Sequence, residues 1–440
     1  MDTTIAAPPN HPLHPLQGAS PGFSGLLDTF RGVLEREIAA WLAAKRHAAG
    51  STALRELIDA LEQLMANGGK RLRPALVYHT YLALAAPGEP RAGGRESAGD
   101  DGRRAVLTLA LATEFLHSYL LIHDDIMDHA AVRRGQPSAH VRFRDAHLAG
   151  GLAGDADDFG RSAAILLGDL AHTYAVELFT SLGPAAAGGE LARCFSAMCE
   201  EVIGGQYLEM QLAHRGAARG RELGPPADPH AAARETAPGN RPEEHRNRQE
   251  DPGNRQEEPR KRQEERESVL AAELTAVLRL KSGRYTAERP IQLGALLAGA
   301  PPLVLALLSA YGCAVGEAFQ LQDDLLGMFG DAGAVGKPVG ADLREGKFTF
   351  LIHHALAAAS EDERRTIEGA LGRADASDEE VERVRGMLTS TGARAAVEAM
   401  VEERLERARA ALAGLSGYEL QPAGQLFLAG LLDYLRERKR

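Results

Sequence analysis

Apolar residues recur at steps of three and four along most of the chain, which is the spacing of one face of an α-helix. The first such run contains Leu27, Phe30, Leu34, Ile38 and Trp41. The same spacing predicts helices over residues 26–48, 54–65, 74–85, 104–127, 162–181, 190–211, 268–284, 290–298, 303–329, 347–359, 379–391, 393–415 and 423–438. No run of alternating β-branched residues predicts a sheet. The predicted fold class is therefore all-α, with one helical domain.

One internal stretch lacks this pattern. Between Gly216 and Arg266 apolar residues nearly vanish, and degenerate seven-residue units follow one another from Gly239 to Arg266. A coiled coil needs two apolar positions per heptad, and these units have none. Mixed charge and Pro predict a disordered, solvated insertion at 216–266, with a partner-binding tail as the alternative. Residues 1–24 are predicted to be a disordered leader, so the folded domain comprises 25–215 and 267–440.

Composition and charge narrow the functional class. The 440 residues carry a net charge of −11, which does not favour nucleic-acid binding. The three cysteines are an odd number and fit a reduced, cytoplasmic protein. The apolar stretch from Ala295 to Tyr311 is interrupted by Gly and Pro, so stable membrane insertion is not expected.

The candidate chemistry lies in two acidic motifs. His123-Asp124-Asp125-Ile126-Met127-Asp128 ends an apolar helix, and Asp124 and Asp128 are four residues apart, on one helical face. Gln322-Asp323-Asp324-Leu325 repeats the arrangement about 200 residues later. Such like charges are costly unless a cation lies between them. Paired aspartates without histidine ligands favour Mg²⁺ together with a diphosphate. A solvated helix end would explain one motif alone, but not both.

Cationic motifs accompany the acidic ones. Gly68-Gly69-Lys70-Arg71-Leu72-Arg73-Pro74 places three positive charges at a flexible loop before a helix. Arg133-Arg134-Gly135 follows the first acidic motif directly. Glycines permit close approach of the backbone to an anion, and Arg matches phosphate oxygens with a planar fork.

With these motifs, in this order, the chain resembles the polyprenyl synthetase family, and within it the geranylgeranyl diphosphate synthases. Further shared motifs are Gly168-Asp169, Gly205-Gln206, Lys281-Ser282 with Tyr285, and Gly336-Lys337 followed by Asp342 and Lys347. The resemblance implies an isoprenoid synthase helical bundle around a central active-site cavity. It also implies a prenyltransferase that condenses isopentenyl diphosphate with an allylic diphosphate (dimethylallyl, geranyl or farnesyl), three Mg²⁺ ions per active site, and a homodimer.

The resemblance also assigns roles to single residues. The implied metal ligands are Asp124, Asp125, Asp128, Asp323 and Asp324. The implied contacts of the allylic diphosphate are Arg133, Lys281, Ser282, Gln320, Lys337 and Lys347. The implied contacts of isopentenyl diphosphate are Lys70, Arg73, His117 and Arg134. The six groups expected to act on the ionising bond are Asp124, Asp128, Arg133, Lys281, Asp323 and Lys337.

The chain departs from the family pattern at two positions. Gly327 stands where the second motif usually has a third Asp, and Glu209 stands where Asp is usual.

Residues a turn or more before Asp124 should lie deep in the pocket, where they would limit the length of the product. Leu116, Tyr119 and Leu120 are the implied chain-length residues. In the family a bulky aromatic five positions before the first Asp forms the pocket floor. Tyr119 has that place, and geranylgeranyl diphosphate is the expected product.

Three other functions are also compatible with parts of this pattern. Farnesyl or longer-chain synthases use the same machinery with a different pocket floor. A class I terpene cyclase would carry Asn, Ser and Glu in its second metal motif, where this chain has Asp323 and Asp324. A non-catalytic subunit that regulates a partner synthase is the alternative of another class, and it would be expected to lose its aspartates.

The insertion yields the first prediction. Replacing Gly216–Arg266 with a short Gly/Ser linker should leave melting temperature and turnover almost unchanged, since the cost of loop closure changes by only ~0.6 kcal/mol per doubling of length. Thermal melts and steady-state rates of the two proteins would check this. A loss of solubility or activity would mean that the repeats pack against the folded domain.

Overall fold

The computed structural model describes residues 22–85, 98–187, 189–222, 267–330 and 339–438. The N-terminal half of this part is helical apart from one short hairpin. Its helices are α1 (Phe23–Ala48), α2 (Thr52–Ala66), α3 (Leu72–Leu84), α4 (Ala98–Met127), α5 (Ala139–Ala149), α6 (Ala156–Thr180), α7 (Pro184–Ala187) and α8 (Glu190–Glu222). The hairpin pairs β1 (Val132–Arg133) with β2 (Gln136–Pro137) in antiparallel register.

The C-terminal half opens with a continuous helical stretch. This stretch contains α9 (267–277), a π-helix (Leu278–Glu288) and α10 (Arg289–Leu297). The helices that follow are α11 (Pro302–Phe329), α12 (Ala341–Arg344), α13 (Phe350–Ala358), α14 (Glu361–Ala370), α15 (Asp378–Ser390), α16 (Ala393–Ala413) and α17 (Pro422–Glu437), with a 3₁₀ turn at Gly414–Gly417.

The bundle is organised around α4 and α11. Helix α4 packs against α6 and α3, and α11 packs against the π-helix and α16. The π-helix in turn packs against α8. The apolar faces of these helices form one continuous core that includes Phe115, Tyr311 and Phe427. This arrangement confirms the all-α class and leaves a cavity between α4, α8, the π-helix and α11.

Most helices lie where the apolar spacing predicts them, and the differences are local. Helices α5 and α14 lie where the apolar spacing predicts no helix. Helix α14 starts with a capping box between Ser360 and Glu363. The hairpin is the only strand pair within the described ranges. The π-helix replaces the break expected between residues 284 and 290.

The structure places the ends of the insertion close together. Helix α8 continues to Glu222, so 216–222 are helical, and 223–266 lie outside the described residues. Arg215 on α8 bonds to Glu273 on α9, with Nη1 3.0 Å from Oε1. The chain therefore leaves and re-enters the bundle at neighbouring points. The predicted leader at 1–24 is wrong at its end, because Phe23 and Ser24 lie in α1. Residues 1–21, and residues 331–338 with Gly336 and Lys337, lie outside the described residues.

Two helices have the length and composition of a membrane span. They are Asp101–Met127 within α4 and Pro302–Phe329, each with a mean hydropathy of 1.6. From sequence, no uninterrupted apolar stretch of that length was expected. In their most apolar windows 67% and 50% of residues are buried inside the bundle, as in core helices of soluble proteins. The absence of membrane insertion stays a prediction.

A buried histidine gives the fold a pH-dependent stability. His79 on α3 is 4% exposed and stacks on Phe427, with ring centroids 4.0 Å apart. Burial lowers its pKa to about 3, whereas an unfolded histidine titrates near pH 6.5. Below pH 6.5 the unfolded chain therefore binds a proton that the folded chain does not bind.

We predict that this residue lowers the free energy of unfolding by about 2 kcal/mol on going from pH 8 to pH 5. Urea unfolding of the wild type and of His79→Phe at both pH values would isolate the effect. Between pH 8 and pH 5 the free energy of unfolding of His79→Phe should fall by about 2 kcal/mol less than that of the wild type, since the Phe ring does not titrate. Equal losses in the two proteins would contradict a neutral, buried His79.

Candidate active site

A cavity of about 1130 Å³ runs between the helices that carry the sequence motifs. Its lining has a polar part and an apolar part. The polar part comprises Lys70, Arg73, Asp124, Arg133, Arg134, Lys281, Asp323, Asp324, Asp342, Lys347 and Arg438. The apolar part comprises Tyr119, Leu120, Val202, Ile203, Tyr207, Leu274, Val277 and Leu278. A cavity with both kinds of lining fits an apolar ligand with an anionic head.

The first acidic motif lies at the C-terminal end of α4. His129 follows with a left-handed φ of 52°, and Ala130 N donates to Asp125 O at 2.9 Å, which stops the helix. Asp124 lines the cavity, whereas Asp125 is buried and accepts from Arg133 Nε at 2.7 Å. Burial raises the pKa of Asp128, although Lys347 opposes that effect. Asp125 thus holds Arg133 in place, and Asp124 faces the cavity.

The second acidic motif lies in the last two turns of α11. Asp323 and Asp324 both line the cavity, opposite α4. Burial raises the pKa of both carboxyls, that of Asp324 well above its ordinary value. Asp324 accepts a hydrogen bond from Gln320 Nε2 at 2.8 Å, and Gln320 Oε1 accepts one from Ser282 Oγ at 2.7 Å. These contacts link the π-helix to the second acidic motif.

The donor set of this site fits Mg²⁺. The facing oxygens are hard carboxylate ligands, the type this ion prefers. No three His, Cys, Asp or Glu side chains of the described residues converge into a self-sufficient metal cage. Mg²⁺ usually binds one or two carboxylates and completes its shell with water and substrate phosphates. Two acidic motifs on opposite sides of a cavity suit this kind of coordination, because the substrate phosphates can bind between them.

Two partly buried lysines lie among these carboxylates. Lys281 Nζ bonds to Glu209 and lies 3.7 Å from Asp124 Oδ1. Lys347 Nζ lies 3.3 Å from Asp128 Oδ2 and 3.4 Å from Asp342 Oδ1. Burial opposes both charges, yet the neighbouring carboxylates outweigh it and raise the pKa of Lys281, and that of Lys347 still further. Both side chains are therefore cations at neutral pH.

The hairpin brings the two arginine-bearing motifs together. Arg134 and Gly135 form its turn with φ of 54° and 71°, the backbone of a type I′ turn. Arg133 points to Asp125, while Arg134 donates to Gly68 O. Gly69 has a φ of 146°, and a Cβ there would lie 2.8 Å from Arg134 Nη2. A glycine at position 69 is therefore required for the Arg134 guanidinium to rest on this loop.

The predicted isopentenyl diphosphate residues also converge. Arg73 contacts His117, with Nη1 and Nε2 3.3 Å apart, and donates to Thr286 Oγ1 at 2.8 Å. Tyr285 OH lies 3.1 Å from His117 Nδ1. Burial lowers the pKa of His117 well below its ordinary value, and the charge of Arg73 adds to this. The neutral ring therefore joins α3, α4 and the π-helix without adding a charge.

The implied chain-length residues are divided between cavity and core. Tyr119 and Leu120 line the cavity, whereas Leu116 is fully buried and is not among the lining residues. The Tyr119 ring packs against His123 and His172, with centroids 4.8 Å and 5.0 Å away.

Several contacts at the site were not predicted from sequence. Arg438, at the end of α17, pairs with Asp323 and lies 4.4 Å from the centre of the Phe319 ring. Lys70 Nζ lies over the same ring at 5.9 Å. Arg71 forms a buried ion pair with Glu114 below the Gly68–Gly69 loop. No local signal marks Arg438 or Glu114, because each is distant in sequence from its partner.

Comparison with known proteins now identifies the class. The sequence model of the polyprenyl synthetase family matches residues 54–222 and 256–388, and the gap between the two ranges falls within the predicted insertion. The chain is 28% identical over 326 residues to the short chain isoprenyl diphosphate synthase of Methanocaldococcus jannaschii, covering 74% of each chain. It is 29% identical over 329 residues to the geranylgeranyl diphosphate synthase of Sulfolobus acidocaldarius, again covering 74% of each.

A solved structure agrees with these matches. Geranylgeranyl pyrophosphate synthase from Corynebacterium glutamicum, crystallised with isoprenyl diphosphate and magnesium, superposes with a TM-score of 0.73 at 29% identity. The superposition covers 94% of this chain and 99% of that one. The fold and the two facing acidic motifs define a helical-bundle prenyltransferase. The chain belongs to the polyprenyl synthetase family.

Proposed function

We propose that this protein condenses isopentenyl diphosphate with an allylic diphosphate and releases a trans-polyprenyl diphosphate, geranylgeranyl diphosphate. The observation that carries this proposal is the cavity itself. Its lining combines two aspartate motifs, two cationic clusters and a set of apolar side chains. Names of relatives such as geranylgeranyl and geranylfarnesyl diphosphate synthase support the same chemistry.

The allylic diphosphate is proposed to bind between the two acidic motifs. Asp124, Asp128, Asp323 and Asp324 would hold three Mg²⁺ ions there, with Asp125 in support through Arg133. Bound magnesium would neutralise the charge that develops on the leaving diphosphate. Lys281 and Lys347 are cations at the same place and would contact the diphosphate oxygens. Arg133, Ser282 and Gln320 complete this set, together with Lys337, which lies outside the described residues.

Isopentenyl diphosphate is proposed to bind at the second cationic cluster. Lys70, Arg73 and Arg134 supply the charges, and neutral His117 orients Arg73. Arg134 and Arg73 contact Gly68 O, His117 and Thr286, whereas Lys281 and Lys347 contact carboxylates of the first acidic motif. The two diphosphates would therefore bind at separate places with their carbon chains near each other. Such positioning lowers the entropic cost of the condensation.

The reaction then follows from charge. Ionisation of the allylic carbon–oxygen bond transfers an electron pair to the diphosphate, and the surrounding cations stabilise this charge more in the transition state than before it. The isopentenyl double bond attacks the allylic cation, and a proton leaves the new carbon chain for the departing diphosphate. No protein nucleophile is required for this sequence of steps.

The assembly is proposed to be a homodimer. Large apolar side chains stand exposed on α6, among them Leu166 at 58% and Ile165 at 45%. A second copy that covers this face would remove these side chains from water.

The direct test is an assay of the purified chain alone with radiolabelled isopentenyl diphosphate and each of the three allylic primers. Chromatography of the dephosphorylated products should show mainly the geranylgeranyl chain, formed only with a divalent cation. Mainly farnesyl product would overturn the proposed product length. No product with any primer would favour a non-catalytic subunit instead.

Loss of either acidic motif should abolish condensation without unfolding the protein. Asp124→Ala and Asp323→Ala should each lower turnover by at least about a hundredfold, because each removes a group that stabilises developing charge. Both variants should remain folded, since each removes one carboxylate from the wall of the cavity and leaves the apolar core intact, and thermal melts would check this. Asp362→Asn, at a 95% exposed carboxylate, is the matched control. Near-normal turnover in both alanine variants would remove the metal assignment.

The pocket floor gives a prediction about product length. Tyr119→Ala should shift products to chains longer than geranylgeranyl, because the ring that closes the channel beside His172 is removed. Tyr119→Phe keeps the ring and should keep the product. Chromatography of the chain lengths separates these outcomes. An unchanged product spectrum in Tyr119→Ala would place the floor elsewhere.

A further inference from the structure

The second acidic motif lacks a carboxylate where a helix would place one. Position 327 follows Asp323 by four residues and Asp324 by three, so its side chain would share their face of α11. The chain has Gly327 at this position, and its backbone lines the cavity. The space beside Gly327 is nevertheless filled.

The group that fills this space is the carboxylate of Asp342. A Cβ built on Gly327 would lie 2.7 Å from Asp342 Oδ2, closer than real Cβ atoms approach other atoms. Gly340 N donates to Gly327 O at 3.0 Å, which fixes the start of α12 over this turn of α11. Gly340 has a left-handed φ of 76°, which turns the chain so that α12 begins here. The fit between Gly327 and Asp342 therefore involves backbone as well as side chain.

Asp342 also has the surroundings of a site carboxylate. It lines the cavity, and its side chain is 24% exposed. Its Oδ1 lies 3.4 Å from Lys347 Nζ, the lysine that also contacts Asp128 of the first motif. After burial, the charge of Asp342 is the main cause that raises the pKa of Asp324. Because Asp342 Oδ2 lies against Gly327, about one helical turn after Asp323 and Asp324, the three carboxylates lie on the same wall of the cavity.

We propose that Asp342 supplies the third carboxylate of the second acidic motif and faces the divalent cations in place of a residue-327 side chain. The inference rests on the proposed function, because it concerns the same cations. It explains how the Asp-Asp-Leu-Leu-Gly sequence retains three carboxylates at its metal-facing surface. The third one comes from α12 and the other two from α11.

The first test measures cation binding without turnover. Mn²⁺ binding, followed by electron paramagnetic resonance in the presence of inorganic pyrophosphate, should weaken about tenfold or more in Asp342→Asn. The variant keeps the volume of the side chain and loses its charge. Asp375→Asn, at an 87% exposed carboxylate, should bind Mn²⁺ as the wild type does. Thermal melts would show that both variants are folded.

The second test moves the carboxylate. Gly327→Asp alone should bind Mn²⁺ poorly, because its Cβ collides with Asp342. The double variant Gly327→Asp with Asp342→Ala should recover most of the Mn²⁺ affinity and magnesium-dependent turnover that Asp342→Ala loses. Recovery would support the proposal. A double variant no better than Asp342→Ala, or unchanged Mn²⁺ binding in Asp342→Asn, would overturn it.

These outcomes separate the inference from the proposed function. If Asp124→Ala abolishes Mn²⁺ binding while Asp342→Asn does not, the role of Asp342 is wrong and the reaction stands. If the wild type binds Mn²⁺ with pyrophosphate through Asp342 but forms no prenyl product, the proposed reaction fails and the role of Asp342 stands.

Discussion

The crowding of carboxylates at the C-terminal ends of two helices is the constraint on which this structure depends. Helix α4 ends at Met127, directly before Asp128, and α11 ends at Phe329, within two turns of Asp324. The helix dipole is negative at a C-terminus, so it adds to the repulsion among these groups. Burial adds a further penalty, as the raised pKa values of Asp128 and Asp324 show. Such crowding of carboxylates is tolerable only where cations lie nearby, and the lysines and arginines around the cavity supply this positive charge.

The backbone is shaped to bring those cations close. A Cβ at Gly205 on α8 would lie 2.7 Å from Lys281 N, and one at Gly312 on α11 would lie 2.7 Å from Glu288 Cα. Glycines on both neighbouring helices thus leave room for the wide π-helix, which presents Lys281, Ser282 and Tyr285 to the cavity. A π-helix often marks a functional site. The type I′ hairpin positions Arg133 and Arg134, whose side chains contact Asp125 and Gly68 O in different parts of the site.

Most of the helices were predictable, because burial of one apolar face imposes the same three- and four-residue spacing wherever a helix packs. The exceptions have physical reasons. Helix α5 has a weakly apolar sequence and is held mainly by packing on α6. Helix α14 has few apolar residues and begins with a capping box, a local feature that apolar spacing does not detect. The π-helix has the composition of an α-helix, and its close packing against Gly205 and Gly312 joins residues distant in sequence.

The sequence by itself determined the class of fold, the two aspartate motifs and the cationic loop, because each is written in local spacing or in a short motif. Only the tertiary structure decided which charges meet. It paired Asp125 with Arg133, placed Arg438 on Asp323 and set Asp342 against Gly327. It also showed that Leu116 lies in the core while Tyr119 lines the cavity. Such contacts join residues far apart in the chain, and their distances depend on how whole helices pack.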